Sequence, residues 1–154
     1  MPATAAPARS PLQGCEVLLV EDEAIIALMI EDLLAELGCA RVRHASRIAD
    51  ALTLVAERRP DIAILDVNLG GDVVFPVAER LEAAGIPFVF ASGYERDIVP
   101  PRWRDRPFVD KPIEAANLAA ALGRARGDDA AGPCRQVADL FPMNNPLAVW
   151  PTSL

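Results

Sequence analysis

CEVLLVEDEAIIALMIEDLLAELG, residues 15–38, decides the fold. Four apolar residues, Val17 to Val20, run straight into Glu21, Asp22 and Glu23. A helical pattern then starts at once. Ile26, Ile30, Leu33 and Leu37 share one stripe, Glu31, Asp32 and Glu36 fall mostly elsewhere, and Gly38 stands in the usual position after a helix end. A buried strand thus empties through three carboxylates into an amphipathic helix, which raises the question of what those carboxylates hold.

The same rhythm continues along the chain. ARVRHA (40–45) reads as a second strand, and Ser46 can cap a second helix that stops at Pro60. DIAILD (61–66) is a third strand. Asp72 can cap a third helix ending at Gly85, with Pro76 tolerable in its first turn. PFVFAS (87–92) is a fourth strand, RPFVD (106–110) a short fifth, and residues 113–124 a last helix. Such alternation implies a parallel sheet covered on both faces. VLLV, IAIL and FVF are apolar enough to be central; RVRHA, with two arginines, suits one edge and the short fifth strand the other. The expected fold is α/β, a flavodoxin-like doubly wound five-stranded parallel sheet of order 2-1-3-4-5.

Bulk properties narrow the function. The 154 residues suffice for one domain, and 52% apolar content excludes overall disorder. No apolar run reaches the ~18 residues of a membrane span, so no membrane role is expected. The start, MPATAAPARSPLQG, has no continuous apolar core and reads as a flexible arm (1–13) rather than a secretory signal. A net charge of -7 disfavours nucleic acid as a partner. Cys15, Cys39 and Cys134 lack metal-ligand spacing; they are expected as reduced thiols in a cytoplasmic protein, Cys15 and Cys39 as small apolar filler. Residues 14–124 hold the domain. The tail, 125–154, is rich in Gly, Pro, Asn and Ala, is too short for a DNA-binding domain of the usual size, and is expected to be mostly disordered. Its VADLFPMNNPLAVW is either a short docking segment or without a role.

Ligands of such sheets gather at the carboxyl ends of the strands, where strand order reverses, here between the first and third strands. The first strand delivers Glu21 and Asp22 there, the third Asp66, the fourth Ser92 and Gly93, the fifth Lys111 and Pro112. Each has an ordinary explanation alone, as a cap, a loop start or a surface charge. Chance convergence of all of them on one end is far less plausible. Crowded carboxylates are stabilised by a raised pKa or a bound cation, and a small all-oxygen site suits Mg²⁺. The first strand–helix turn lacks a Gly-rich phosphate fingerprint, so an acidic turn would hold phosphate through a metal. Lys111 and Ser92 can then meet other phosphate oxygens, leaving Asp66 free as a nucleophile toward phosphorus.

LLVEDE, DIAILDVNL, VFASGY and FVDKPI together resemble the receiver domain of two-component response regulators, over residues 14 to 124. The resemblance implies Asp66 as phosphoacceptor and Glu21 and Asp22 as the acidic pair, Asp22 being the more direct Mg²⁺ ligand. It implies the backbone carbonyl of Asn68 as a further ligand, Ser92 as the switch hydroxyl and Lys111 as the phosphate-binding lysine before a cis Pro112. Phe108 is implied as the aromatic that changes rotamer on activation, and Asn68 and Tyr94 as residues tuning hydrolysis. The implied partners are a sensor histidine kinase or phosphotransfer protein as donor and an unidentified protein target.

One departure stands out. GYERDIVPPRWRDRP carries Pro100, Pro101 and Pro107 where the family has a full helix, so a short or irregular fourth helix is expected. This is similar to a receiver subgroup with a modified fourth helix and a Phe-Ala-Ser/Thr-Gly-Tyr motif. Tyr94, Trp103 and the loop become candidates for the output surface, with Trp103 either a core anchor or a partner contact. His44 is expected as an edge residue away from the crevice. Two other functions fit the residues less well. A dehalogenase-type phosphatase would need a second acid where Asn68 stands. A receiver-like binding module working without phosphate would be expected to lack one of Asp22, Asp66, Ser92 or Lys111.

Overall fold

The structure, a computed structural model, describes residues 12–93 and 95–127. The N-terminal arm before Leu12, Tyr94 and the tail beyond Gly127 lie outside the described residues. Strands β1 (Glu16–Val20), β2 (Arg41–Ala45), β3 (Ile62–Asp66), β4 (Phe88–Ser92) and β5 (Phe108–Asp110) form one parallel sheet in the order β2-β1-β3-β4-β5. Helices α1 (Ala24–Glu36), α2 (Ile48–Glu57), α3 (Phe75–Ala83) and α4 (Ala115–Arg126) complete the flavodoxin-like arrangement expected from the sequence.

Every residue of β1, β3 and β4 is buried, because helices cover both faces. The two-residue period of a strand divides each between two cores. Val17, Leu19, Ile62 and Ile64 pack with Ala27 and Ile30 of α1 and Leu118 and Leu122 of α4. Leu18, Val20, Ala63 and Leu65 pack with Ala51 and Val55 of α2 and Val77 and Leu81 of α3. At the β2 edge, Arg43 donates from Nη1 to the carbonyl of Leu54 (2.9 Å) and from Nη2 to that of Arg58, tying the strand to the end of α2. Its Nε lies 2.7 Å from Glu16, which also pairs with Arg58 at 2.9 Å.

Local structure corrects four readings. Asp72 caps no helix: it lies in a small hairpin, Asn68–Leu69 against Asp72–Val73, whose tip is Gly70 and Gly71 at φ +61° and +104°. Helix α3 begins only at Phe75, with Pro76 in its first turn. Ser46 is likewise displaced as cap by Arg47, whose side chain makes no capping bond. Cys15 is disulfide-bonded rather than reduced, whereas Cys39 is a free, half-buried thiol whose pKa burial pushes up to about 12.

Between β4 and β5 the described residues form two 3₁₀ turns, Glu95–Ile98 and Pro101–Trp103, as the prolines require. Trp103 resolves as a core anchor. It is fully buried, 5.7 Å from Phe75 and about 6 Å from Phe88 and Phe90 by ring centroids. Its indole N–H donates to Glu82 Oε2 of α3 at 3.2 Å, and the Arg102 guanidinium sits 4.1 Å over the ring. A loop that has lost its helix is thereby fastened to α3.

Candidate functional site

Strand register assembles the site. Val20 pairs with Leu65, so the next residues, Glu21 and Asp66, stand side by side. Asp66 pairs with Ala91, placing Ser92 one step on, and Ser92 pairs with Asp110, placing Lys111 beyond it. The chain turns away from each strand end immediately afterwards, which leaves these side chains in one crevice at the carboxyl edge.

Lys111 Nζ lies 3.2 Å from Asp66 Oδ1 and 3.5 Å from Glu21 Oε1. Glu21 and Ser92 are fully buried, Asp66 nearly so, and Asp22 is exposed. One carboxylate oxygen from each of Glu21, Asp22 and Asp66 lies within 4.8 Å of the others. Glu21 Oε2 accepts the Glu23 N–H at 3.2 Å, and the buried Oε1 faces the Lys111 ammonium that Asp66 shares. One ammonium thus serves two buried carboxylates. The donor set is all oxygen, and three carboxylates against one ammonium leave two negative charges, so the residues present fit a hard divalent ion.

The electrostatics agree. Burial first, then the charge of Asp66, raises the Glu21 pKa to about 7. Burial likewise raises Asp66, against the opposing pull of its bond to Glu21 and of Lys111. Burial would lower Lys111, but the carboxylates of Asp66 and Glu21 outweigh it and raise its pKa. A crevice that holds a proton on Glu21 near neutrality is short of positive charge.

The other residues read from the sequence fall around this core. Asn68 follows two residues after Asp66; its exposed side chain accepts the Gly71 N–H through Oδ1 at 2.9 Å. Phe108 is half-buried at the start of β5, its ring 5.4 Å from that of Phe90. The Lys111–Pro112 peptide is cis. Tyr94 lies outside the described residues.

A family model described as the response regulator receiver domain matches residues 17–123. The chain belongs to that family. The solution structure of SdrG from Sphingomonas melonis Fr1 is 45% identical, with a TM-score of 0.62, over 74% of this chain and 96% of that one. SdrG in a BeF3-activated conformation is 43% identical, with a TM-score of 0.64, over 79% of this chain and 99% of that one. Among curated proteins, the phyllosphere-induced regulator PhyR of Methylorubrum extorquens is 29% identical over 114 residues, 71% of this chain and 43% of PhyR. The receiver thus spans less than half the length of PhyR.

Two neighbours of the receiver's crevice escaped the sequence reading. His44, expected away from it, pairs in register with Leu19, and its Nε2 lies 2.7 Å from the Glu21 carbonyl oxygen. Parallel register could have shown this, since the residue beside Leu19 lies only two steps from Glu21. Gly70 is the other: a Cβ there would sit 3.4 Å from Asp22 Oδ2. The signal was Gly-Gly between Asn68 and Asp72, a turn sequence. Among the described residues, no helix is long and apolar enough to cross a membrane.

Proposed function

We propose that the chain is a phosphorylation-dependent signalling switch, a receiver over residues 14–124, in which Asp66 accepts a phosphoryl group from phosphohistidine of a sensor kinase or phosphotransfer protein. The observation that carries this reading is the Asp66 carboxylate held 3.2 Å from Lys111 Nζ beside Glu21 and Asp22. An Asp66 carboxylate oxygen attacks phosphorus as the P–N bond to the donor imidazole breaks, and the imidazole leaves as the neutral ring because its other nitrogen carries a proton taken from water. Glu21, Asp22, Asp66 and the Asn68 carbonyl would hold Mg²⁺, which when bound neutralises charge on the phosphoryl oxygens. Lys111 is placed to meet a second phosphoryl oxygen and the Ser92 hydroxyl a third.

Once Asp66 carries the phosphoryl group as an acyl phosphate, Lys111 exchanges a carboxylate partner for a phosphoryl oxygen, and Ser92 is drawn toward the new group. Phe108, in ring contact with Phe90, follows by rotamer change. The result is a shift between two conformations. Output goes to a protein target through the β4–β5 loop and Tyr94, with Trp103 as its inner anchor rather than its outer surface. Asn68 and Tyr94 stand where hydrolysis is tuned. We place the protein in the cytoplasm.

Intact mass after incubation with acetyl phosphate tests the switch. A gain of about 80 Da, one phosphoryl group, is expected with Mg²⁺ and lost in Asp66→Asn or with EDTA. No gain from acetyl phosphate or from a phosphohistidine donor would leave a phosphate-independent binding module.

A further inference from the structure

We infer that Asn68 is a positioning residue for the cation: its side chain braces the hairpin whose tip sets how the Asp22 carboxylate closes on the site. The inference rests on the Mg²⁺ role proposed above and concerns what controls it.

The three candidate carboxylate oxygens lie within 4.8 Å of one another. Around an octahedral Mg²⁺, adjacent oxygens are about 3 Å apart and opposite ones about 4 Å. Those separations set where the three oxygens must stand when an ion is bound. Glu21 is buried and tied to the Glu23 amide, and Asp66 is buried and paired to Lys111. Asp22 is exposed, and it is the member with room to turn.

What Asp22 meets on turning is the hairpin tip. Gly70 sits at φ +61°, and the site of its missing Cβ is 3.4 Å from Asp22 Oδ2. A side chain there would touch the carboxylate and would also strain a left-handed backbone. The tip is kept in place by few bonds. Asn68 pairs with Val73 and Leu69 with Asp72, the Val74 N–H bonds the Val67 carbonyl at 3.0 Å, and Asn68 Oδ1 accepts from Gly71 at 2.9 Å. The last of these is a side-chain bond spanning the Gly-Gly tip, and it comes from the residue whose own carbonyl is the fourth candidate ligand. One side chain thus fixes both the carbonyl and the turn that borders Asp22. A group committed to its own turn in this way acts on the cation through the hairpin.

The test is calorimetric titration of the full chain with MgCl₂, comparing wild type with Asn68→Ala, Asn68→Ser and Gly70→Ala. Serine restores an acceptor for the Gly71 amide without adding charge. Asn68→Ala is expected to weaken Mg²⁺ binding about fivefold, the equilibrium equivalent of one neutral hydrogen bond. Asn68→Ser should recover most of that loss, and Gly70→Ala should weaken binding as well. Exchange of the Gly71 amide should quicken in the alanine variant alone of the two at position 68. Equal Mg²⁺ affinity in wild type and Asn68→Ala overturns the inference while leaving the switch intact. Absence of Mg²⁺ binding by wild type overturns the switch mechanism itself, and this inference with it.

Discussion

Glu21→Gln should stabilise the metal-free protein at pH 8. The Glu21 side chain is fully buried, and its pKa stands at about 7 rather than 4.5 because burial and the neighbouring Asp66 charge oppose ionisation. The folded state therefore binds this proton more tightly than the unfolded chain does. Between pH 4.5 and 7 the native protein holds more protons than the unfolded one, so stability falls as pH rises and levels off above pH 7. The shift corresponds to about 3 kcal/mol, the cost of carrying an ionised Glu21 in the empty crevice at pH 8. Glutamine keeps the shape and removes that cost. Urea unfolding followed by circular dichroism, in EDTA at pH 5 and pH 8, measures it. Wild type should lose stability between the two values, Glu21→Gln should lose much less, and the variant should be the more stable at pH 8. Saturating Mg²⁺ should reverse the ranking, because it stabilises the folded state only where Glu21 can ionise. A wild type whose metal-free stability rises from pH 5 to 8, or a Glu21→Gln variant less stable than wild type at pH 8, would refute the electrostatic reasoning.

The same proton must leave before a cation enters. Apparent Mg²⁺ affinity should fall about tenfold from pH 8 to pH 6, and a flat calorimetric profile would remove Glu21 from the ligand set. Lys111→Ala leaves Asp66 and Glu21 without their ammonium; a loss of about 3 kcal/mol is expected at pH 8 and clearly less at pH 5, where Glu21 is protonated. Trp103→Ala should cost about 3 to 5 kcal/mol and Trp103→Phe about 1, for the indole–Glu82 bond, both read by thermal unfolding. A near-neutral Trp103→Ala would return that ring to the surface as a partner contact.

The sheet and the crevice were legible because both follow from patterns that neighbours scarcely alter. Val17 to Val20 and Ile62 to Leu65 are continuous apolar runs of strand length, and the residue after each run is fixed at the sheet's edge by topology alone. What failed depended on tertiary partners. Asp72 has the chemistry of a cap, but the hairpin closed by Gly70 and Gly71 delays α3 until Phe75. Arg43 read as an edge charge because its real work, on the carbonyls of Leu54 and Arg58, lies across a crossover. Trp103 was undecidable until α3 offered Glu82 beneath it. His44 was missed for the same reason, its contact being with a backbone oxygen one strand away.

The two ends of β1 show why the carboxyl end is where a ligand acts. At the amino end, Glu16 is nearly buried but faces two guanidinium groups, Arg43 and Arg58, at 2.7 and 2.9 Å. Arg43 also spends its Nη donors on the end of α2, so the cluster is tied into the fold. Removing any member would leave a buried charge exposed to its own desolvation, and nothing invites a further ion. At the carboxyl end the ratio is inverted: Glu21, Asp22 and Asp66 cluster there, and among the described residues Lys111 is the cation paired with Glu21 and Asp66. The fold meets this deficit with a proton on Glu21 near neutrality. A divalent ion would answer it more fully, and a phosphoryl group on Asp66 would then restore negative charge beside Lys111. The amino end is balanced in charge, whereas the carboxyl end carries an excess of acids. That imbalance is what the proposed switch would use, and it is built from the same residue types on the same strand.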